Sequence, residues 1–92
     1  MTEEELGDLF DKSLDRILPR MYIQLEKNID KGGWNDLKLI QLSDMMYRKA
    51  LQLREAVFSG DEAMVRELSA DLANYAMMLF NNSTQNGELD NG

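Results

Sequence analysis

The sequence predicts an all-α fold: an antiparallel helical hairpin with an N-terminal helix packed on it, completed by a homo-oligomeric helix bundle. Three observations predict it. Apolar residues recur at steps of three and four along most of the chain, the helical period. Two breaks, Lys31–Asp36 and Ser59–Asp61, divide that pattern into three long segments. No stretch shows the alternation of a half-buried strand, and no internal repeat is present.

In the first segment, residues 3–29, the apolar stripe runs Phe10, Leu14, Ile17/Leu18, Met21, Leu25, Ile29. Thr2 suits an N-cap, and Glu3, Glu4 and Glu5 suit the positive end of the helix dipole. Pro19 removes a backbone donor and crowds the preceding turn, while the stripe keeps its phase across it. Two helices in tandem, 3–17 and 19–29, or one helix kinked near Pro19 both satisfy that pattern. Gly32 and Gly33 tolerate positive φ and are expected to end the segment, with Asn35 or Asp36 capping the next.

The second segment, 37–58, places Leu39, Leu42, Met45/Met46, Leu53, Ala56 and Val57 on an apolar face. Gly60 suits a left-handed C-terminal position and Asp61 an N-cap, and so short a link makes the neighbouring helices antiparallel. The third segment, 62–81, carries Val65, Leu68, Leu72, Tyr75 and Leu79, with Ala63, Ala70, Ala73 and Ala76 permitting close helix approach. One helical domain is expected over 1–82, made of an acidic helix over 1–18 and a core over 19–82. The polar, Asn/Gly-rich tail 83–92 is expected to be disordered.

Composition narrows the chemistry. The chain of 92 residues has no Cys and no His, so it offers no thiolate, no imidazole base and no Cys- or His-ligated metal site. A metal would need oxygen ligands, as Mg²⁺ or Ca²⁺ do. The net charge of −7 is unevenly placed. Residues 1–15 carry Glu3, Glu4, Glu5, Asp8, Asp11 and Asp15 against Lys12 alone. Residues 16–54 are net basic through Arg16, Arg20, Lys27, Lys31, Lys38, Arg48, Lys49 and Arg54. General nucleic-acid binding is not expected from such an acidic chain, although its basic middle suits a small anion. The acidic N-terminus has no apolar run behind it and no segment reaches membrane-spanning length, so a cytoplasmic protein without membrane partners is expected.

The run Lys27-Asn28-Ile29-Asp30-Lys31-Gly32-Gly33-Trp34-Asn35-Asp36 resembles the loop of MazG-like nucleoside triphosphate pyrophosphohydrolases, above all the short phage-type members. Glu55-Ala56-Val57 before Ser59-Gly60-Asp61 is a second point of similarity. Ala70-Asp71-Leu72-Ala73-Asn74-Tyr75-Ala76-Met77-Met78-Leu79 before Asn81-Asn82 is the third. The three occur in order over roughly residues 20–82. The resemblance implies an all-α dimer or tetramer that cleaves nucleoside triphosphates to monophosphate and pyrophosphate with Mg²⁺. It also implies a metal held by a Glu-Glu-x-x-Glu motif on the first hairpin helix and a Glu-x-x-Asp motif on the second. Such acids, a turn apart on facing helices, converge on one hard cation.

This chain departs from that pattern. The first motif falls on Arg48-Lys49-Ala50-Leu51-Gln52. The second reads Leu68-Ser69-Ala70-Asp71, and the His that often precedes Lys-Gly-Gly-Trp is Asp30. Asp71 alone remains as a metal-ligand candidate, so no cofactor is expected unless hydrolysis persists, in which case Mg²⁺ is implied. Lys31, Trp34, Arg48, Lys49, Gln52, Asp71 and Asn74 are the candidate nucleotide- or phosphate-binding residues; no residue is assigned as catalytic. Each has a plainer reading. Arg48 and Lys49 suit a solvated helix face, Leu68 an extended core, and Trp34 a packing anchor. Asp71 and Asn74 suit register-fixing bonds between helices.

The resulting expectation is a diverged, non-catalytic MazG-like protein, of phage or mobile-element type, that binds a nucleotide or a host protein. Its alternatives are an active Mg²⁺-dependent pyrophosphohydrolase with a rearranged site, and an interaction or inhibitor module acting through acidic residues 1–18.

Overall fold

A computed structural model describes the backbone of residues 1–28 and 33–91 and the side chains of these residues as far as Thr84. The described residues form three helices and no strand: α1 (Glu3–Lys27), α2 (Leu39–Ser59) and α3 (Glu62–Asn91). α3 is the central element. Both α1 and α2 pack against it, and their backbones do not approach each other closely.

α1 is one uninterrupted helix with Pro19 inside it, so the tandem-helix alternative does not hold. Its start is well specified. The Thr2 hydroxyl accepts from the Glu5 N–H at 3.1 Å, and the Glu5 carboxylate accepts from the Thr2 N–H at 3.2 Å. That reciprocal pair satisfies two of the orphan donors of the first turn. The end lies at Lys27 rather than residue 29. Asn28 caps it, its side chain donating to the Gln24 carbonyl at 3.0 Å. The predicted glycine stop is therefore not what terminates α1. Gly33 has no positive φ, and Gly32 lies outside the described residues.

The connection then forms a turn in which the Leu37 N–H donates to the Trp34 carbonyl at 3.1 Å. This turn displaces the start of α2. Lys38, not Asn35 or Asp36, is the N-cap, and its N–H donates to the Gln41 side chain at 2.8 Å.

The α2–α3 turn follows the prediction. Gly60 sits at φ 74°, a left-handed conformation that costs a residue with a Cβ. Its N–H donates to Val57 O, and the Asp61 N–H reaches back to Ala56 O at 3.0 Å, the pairing that closes a Schellman turn. The Asp61 carboxylate then accepts from the Met64 N–H at 3.1 Å.

α3 runs to Asn91, beyond the 62–81 expected for the third segment. A helix already anchored by packing extends at little cost, because each added residue gains one bond.

The core is small and sits along α3. Leu42, Ala56, Leu68 and Ala70 are its buried apolar residues. Leu68 thus belongs to the core. Ala70 lets α3 pack closely, and Leu42, fully buried, contributes roughly 1.5–3 kcal/mol. The expected apolar stripes are only partly covered. On α1, Leu14, Ile17, Met21 and Leu25 are half-buried, whereas Phe10 and Leu18 are exposed. On α2, Leu39, Met45 and Val57 are exposed. α3 supplies one packing surface to each neighbour, and residues beyond its reach stay in solvent. No described helix is long and apolar enough to cross a membrane.

Candidate functional site

The C-terminal half of α1 and the middle of α2 diverge over α3 and leave a wedge between them. The Trp34–Leu37 turn closes one end. The resulting cavity, about 640 Å³, is lined from α1 by Tyr22 and Gln24, from the turn by Trp34, and from α3 by Asp71, Asn74 and Tyr75; Met45 and Met78 complete its apolar wall. That volume falls in the range of small-molecule sites, as does an apolar wall with a few placed polar groups.

The turn is held by Asn82, a buried residue about three turns beyond Ala70 on α3. Its side-chain amide donates to the carbonyls of both Trp34 and Leu37, each at 3.0 Å. The Trp34 ring is thereby fixed against the cavity, half-buried.

The polar floor is a linked set. Gln24, buried on α1, donates to Asp71 Oδ1 at 2.9 Å and to Glu67 Oε1 at 3.3 Å. Asp71 Oδ2 lies 3.3 Å from Lys49 Nζ, an ion pair joining α3 to α2. Asn74 donates through Nδ2 to the Met21 carbonyl at 3.0 Å. These bonds tie all three helices together at one level. They match the plainer expectation for Asp71 and Asn74, that they fix register.

Two buried polar atoms of residues in the cavity wall, the Trp34 indole Nε1–H and the Asn74 Oδ1, are closed to solvent and have no hydrogen-bond partner among the described residues. One is a donor and the other an acceptor. Leaving such groups unpaired costs on the order of 1–3 kcal/mol each.

Of the candidate residues, Trp34, Asp71 and Asn74 come together in the cavity wall. Lys49 meets them only through Asp71. Arg48 and Gln52 are exposed on α2 and do not line the cavity. For Arg48 the phase of α2 explains the split, since residues i and i+1 do not share a face. Lys31 lies outside the described residues. Among the described residues Arg48 is exposed and Lys49 is paired with Asp71. Gln24 was not singled out from the sequence. Its signal was a polar residue three positions after Met21, in phase with the apolar stripe of α1.

The donor set does not suit Mg²⁺. The two Asp71 oxygens face an ammonium and an amide N–H, and no cluster of three acidic residues occurs among the described residues. A hard divalent ion needs several convergent oxygens. No protein-family model, no curated protein and no solved structure matches the chain.

Proposed function

We propose that the chain is a diverged, non-hydrolytic protein of the MazG-like fold whose cavity takes the base of a nucleoside or nucleotide, without a metal. One observation carries this reading: the cavity of about 640 Å³ walled by Trp34, Tyr22 and Tyr75. A planar ring stacks on aromatic side chains, each such contact contributing on the order of 1–3 kcal/mol. The described lining contains the acids Glu26 and Asp71 and no cation, so the base, not the phosphates, belongs inside. Asp71 here positions Lys49 and Gln24 instead of holding a metal.

A fluorescence titration tests this, because Trp34 is the sole tryptophan. Nucleosides and nucleotides are expected to change its emission in EDTA as in Mg²⁺. Trp34→Leu and Tyr75→Leu each remove a ring from the cavity wall; both are expected to weaken binding, read by calorimetry. No signal at millimolar nucleoside or nucleotide refutes the reading. Mg²⁺-dependent pyrophosphate release that is lost in Asp71→Ala favours hydrolysis instead.

A second reading rests on α1. Its residues 3–13 are all exposed, with Leu6, Leu9 and Phe10 set among acids. That arm suits a partner protein with a basic, apolar groove. Capture of such a partner by the full chain, lost when Leu6 and Phe10 are changed to Ser, supports that reading.

A further inference from the structure

Two acids line the cavity among the described residues, and they differ in what they offer a ligand. Both oxygens of Asp71 are taken, Oδ1 by the Gln24 amide at 2.9 Å and Oδ2 by Lys49 at 3.3 Å. Glu26 is the opposite case. It stands exposed in the last turn of α1. Its neighbour Lys27 pairs with Glu67 instead, and Glu26 has no ion pair among the described residues. Helix stability does not account for it either, because a negative charge is disfavoured at the negative end of the helix dipole.

Glu26 follows Tyr22 by one turn on the same face of α1, with their Cβ atoms about 6 Å apart. Tyr22 is 64% exposed and lines the same cavity. A flat ring laid on Tyr22 therefore brings its edge within reach of the Glu26 carboxylate. A carboxylate accepts through both oxygens and donates nothing. Of the common bases, guanine alone presents two neighbouring N–H donors on one edge, at N1 and N2. Adenine and cytosine each set a ring acceptor beside the amino group, and uracil carries one N–H between two carbonyls. In all three, one carboxylate oxygen would face a lone pair.

We propose that Glu26 makes the cavity selective for guanine, accepting the N1–H and one N2–H as a bidentate pair. This rests on the reading that the cavity takes a nucleobase, and it adds which base. Tyr22 supplies a stacking surface that any base can use. The carboxylate supplies the discrimination. Paired bonds to an ionised acceptor are strong and directional, and a site that accepts two bonds rejects an analogue that lacks one of them.

Calorimetry on the full chain with guanosine, inosine, adenosine, cytidine and uridine tests this, for the wild type and for Glu26→Gln. Inosine is guanosine without the N2 amino group. The wild type is expected to bind guanosine at least about tenfold more tightly than inosine and the other three. Glu26→Gln keeps the side chain's shape but replaces one acceptor oxygen by a donor. It is expected to weaken guanosine about tenfold or more and to change adenosine by less than about threefold. Far-ultraviolet circular dichroism is expected to be unchanged, since Glu26 is exposed. Equal affinity for guanosine and inosine overturns the assignment and leaves the cavity a nucleobase site, as does guanosine binding indifferent to Glu26→Gln. Binding of none of the five nucleosides overturns both.

Discussion

Replacing Asn82 by Ala removes the clamp that holds the Trp34 turn over the cavity. Asn82 is 3% exposed and donates two bonds of 3.0 Å, to the carbonyls of Trp34 and Leu37. Trp34 O keeps the bond from the Leu37 N–H at 3.1 Å, so its loss is partial. A buried hydrogen bond contributes about 0.5–1.5 kcal/mol net, so the pair is worth about 1–3 kcal/mol. For a domain of this size a loss of about 2 kcal/mol lowers Tm by about 8–16 °C. Urea unfolding followed by circular dichroism measures the stability change. Emission from Trp34 in the folded variant measures the local one, and a red shift is expected as the ring loses its fixed, half-buried position. Asn82→Asp should be at least as costly, because a carboxylate has no N–H to offer two carbonyls. A change in stability below about 0.5 kcal/mol, the range of ordinary surface substitutions, together with unchanged emission, would refute the clamp.

Leu68→Ala removes a core side chain and is expected to cost about 2–5 kcal/mol in urea unfolding; a cost near zero would place Leu68 outside the core. Lys49→Met leaves the largely buried Asp71 carboxylate with Gln24 as its remaining partner, and a loss of about 1 kcal/mol is expected, allowing for the solvent exposure of Lys49. In a double-mutant cycle with Asp71→Asn the two changes should cost less together than the sum of the singles. Pro19→Ala restores a backbone donor inside α1 and removes a steric clash. It should raise helicity and stability by about 1–3 kcal/mol, measured by thermal and urea unfolding.

The helices were legible in the sequence because their signals are local. Thr2 with Glu5, and Gly60 with Asp61, form caps that depend on residues three to five apart. The Lys31–Asp36 break was legible as a break, but not the bond that ends α1. Asn28 competes with the glycines for that role, and the winner depends on where the turn docks on α3. α3 runs past residue 81 because an extension is stabilised by the packed helix before it, which local composition does not record. In the site, Trp34, Asp71 and Asn74 were visible as residues. Their partners Gln24 and Asn82 were not assigned, because those bonds join positions more than forty apart in the chain. Arg48 and Lys49 part company in the structure. Arg48 matches a metal-ligand position of the MazG-like pattern, yet the phase of α2 leaves it in solvent while Lys49 turns to α3.

The most direct test is a calorimetric titration of the wild-type chain with a nucleoside triphosphate and its parent nucleoside, in EDTA and in Mg²⁺, with released pyrophosphate measured in parallel. The account predicts that both ligands bind, that affinity is the same with and without Mg²⁺, and that no pyrophosphate appears. Binding that requires Mg²⁺, or triphosphate turnover that Asp71→Ala abolishes, would contradict it.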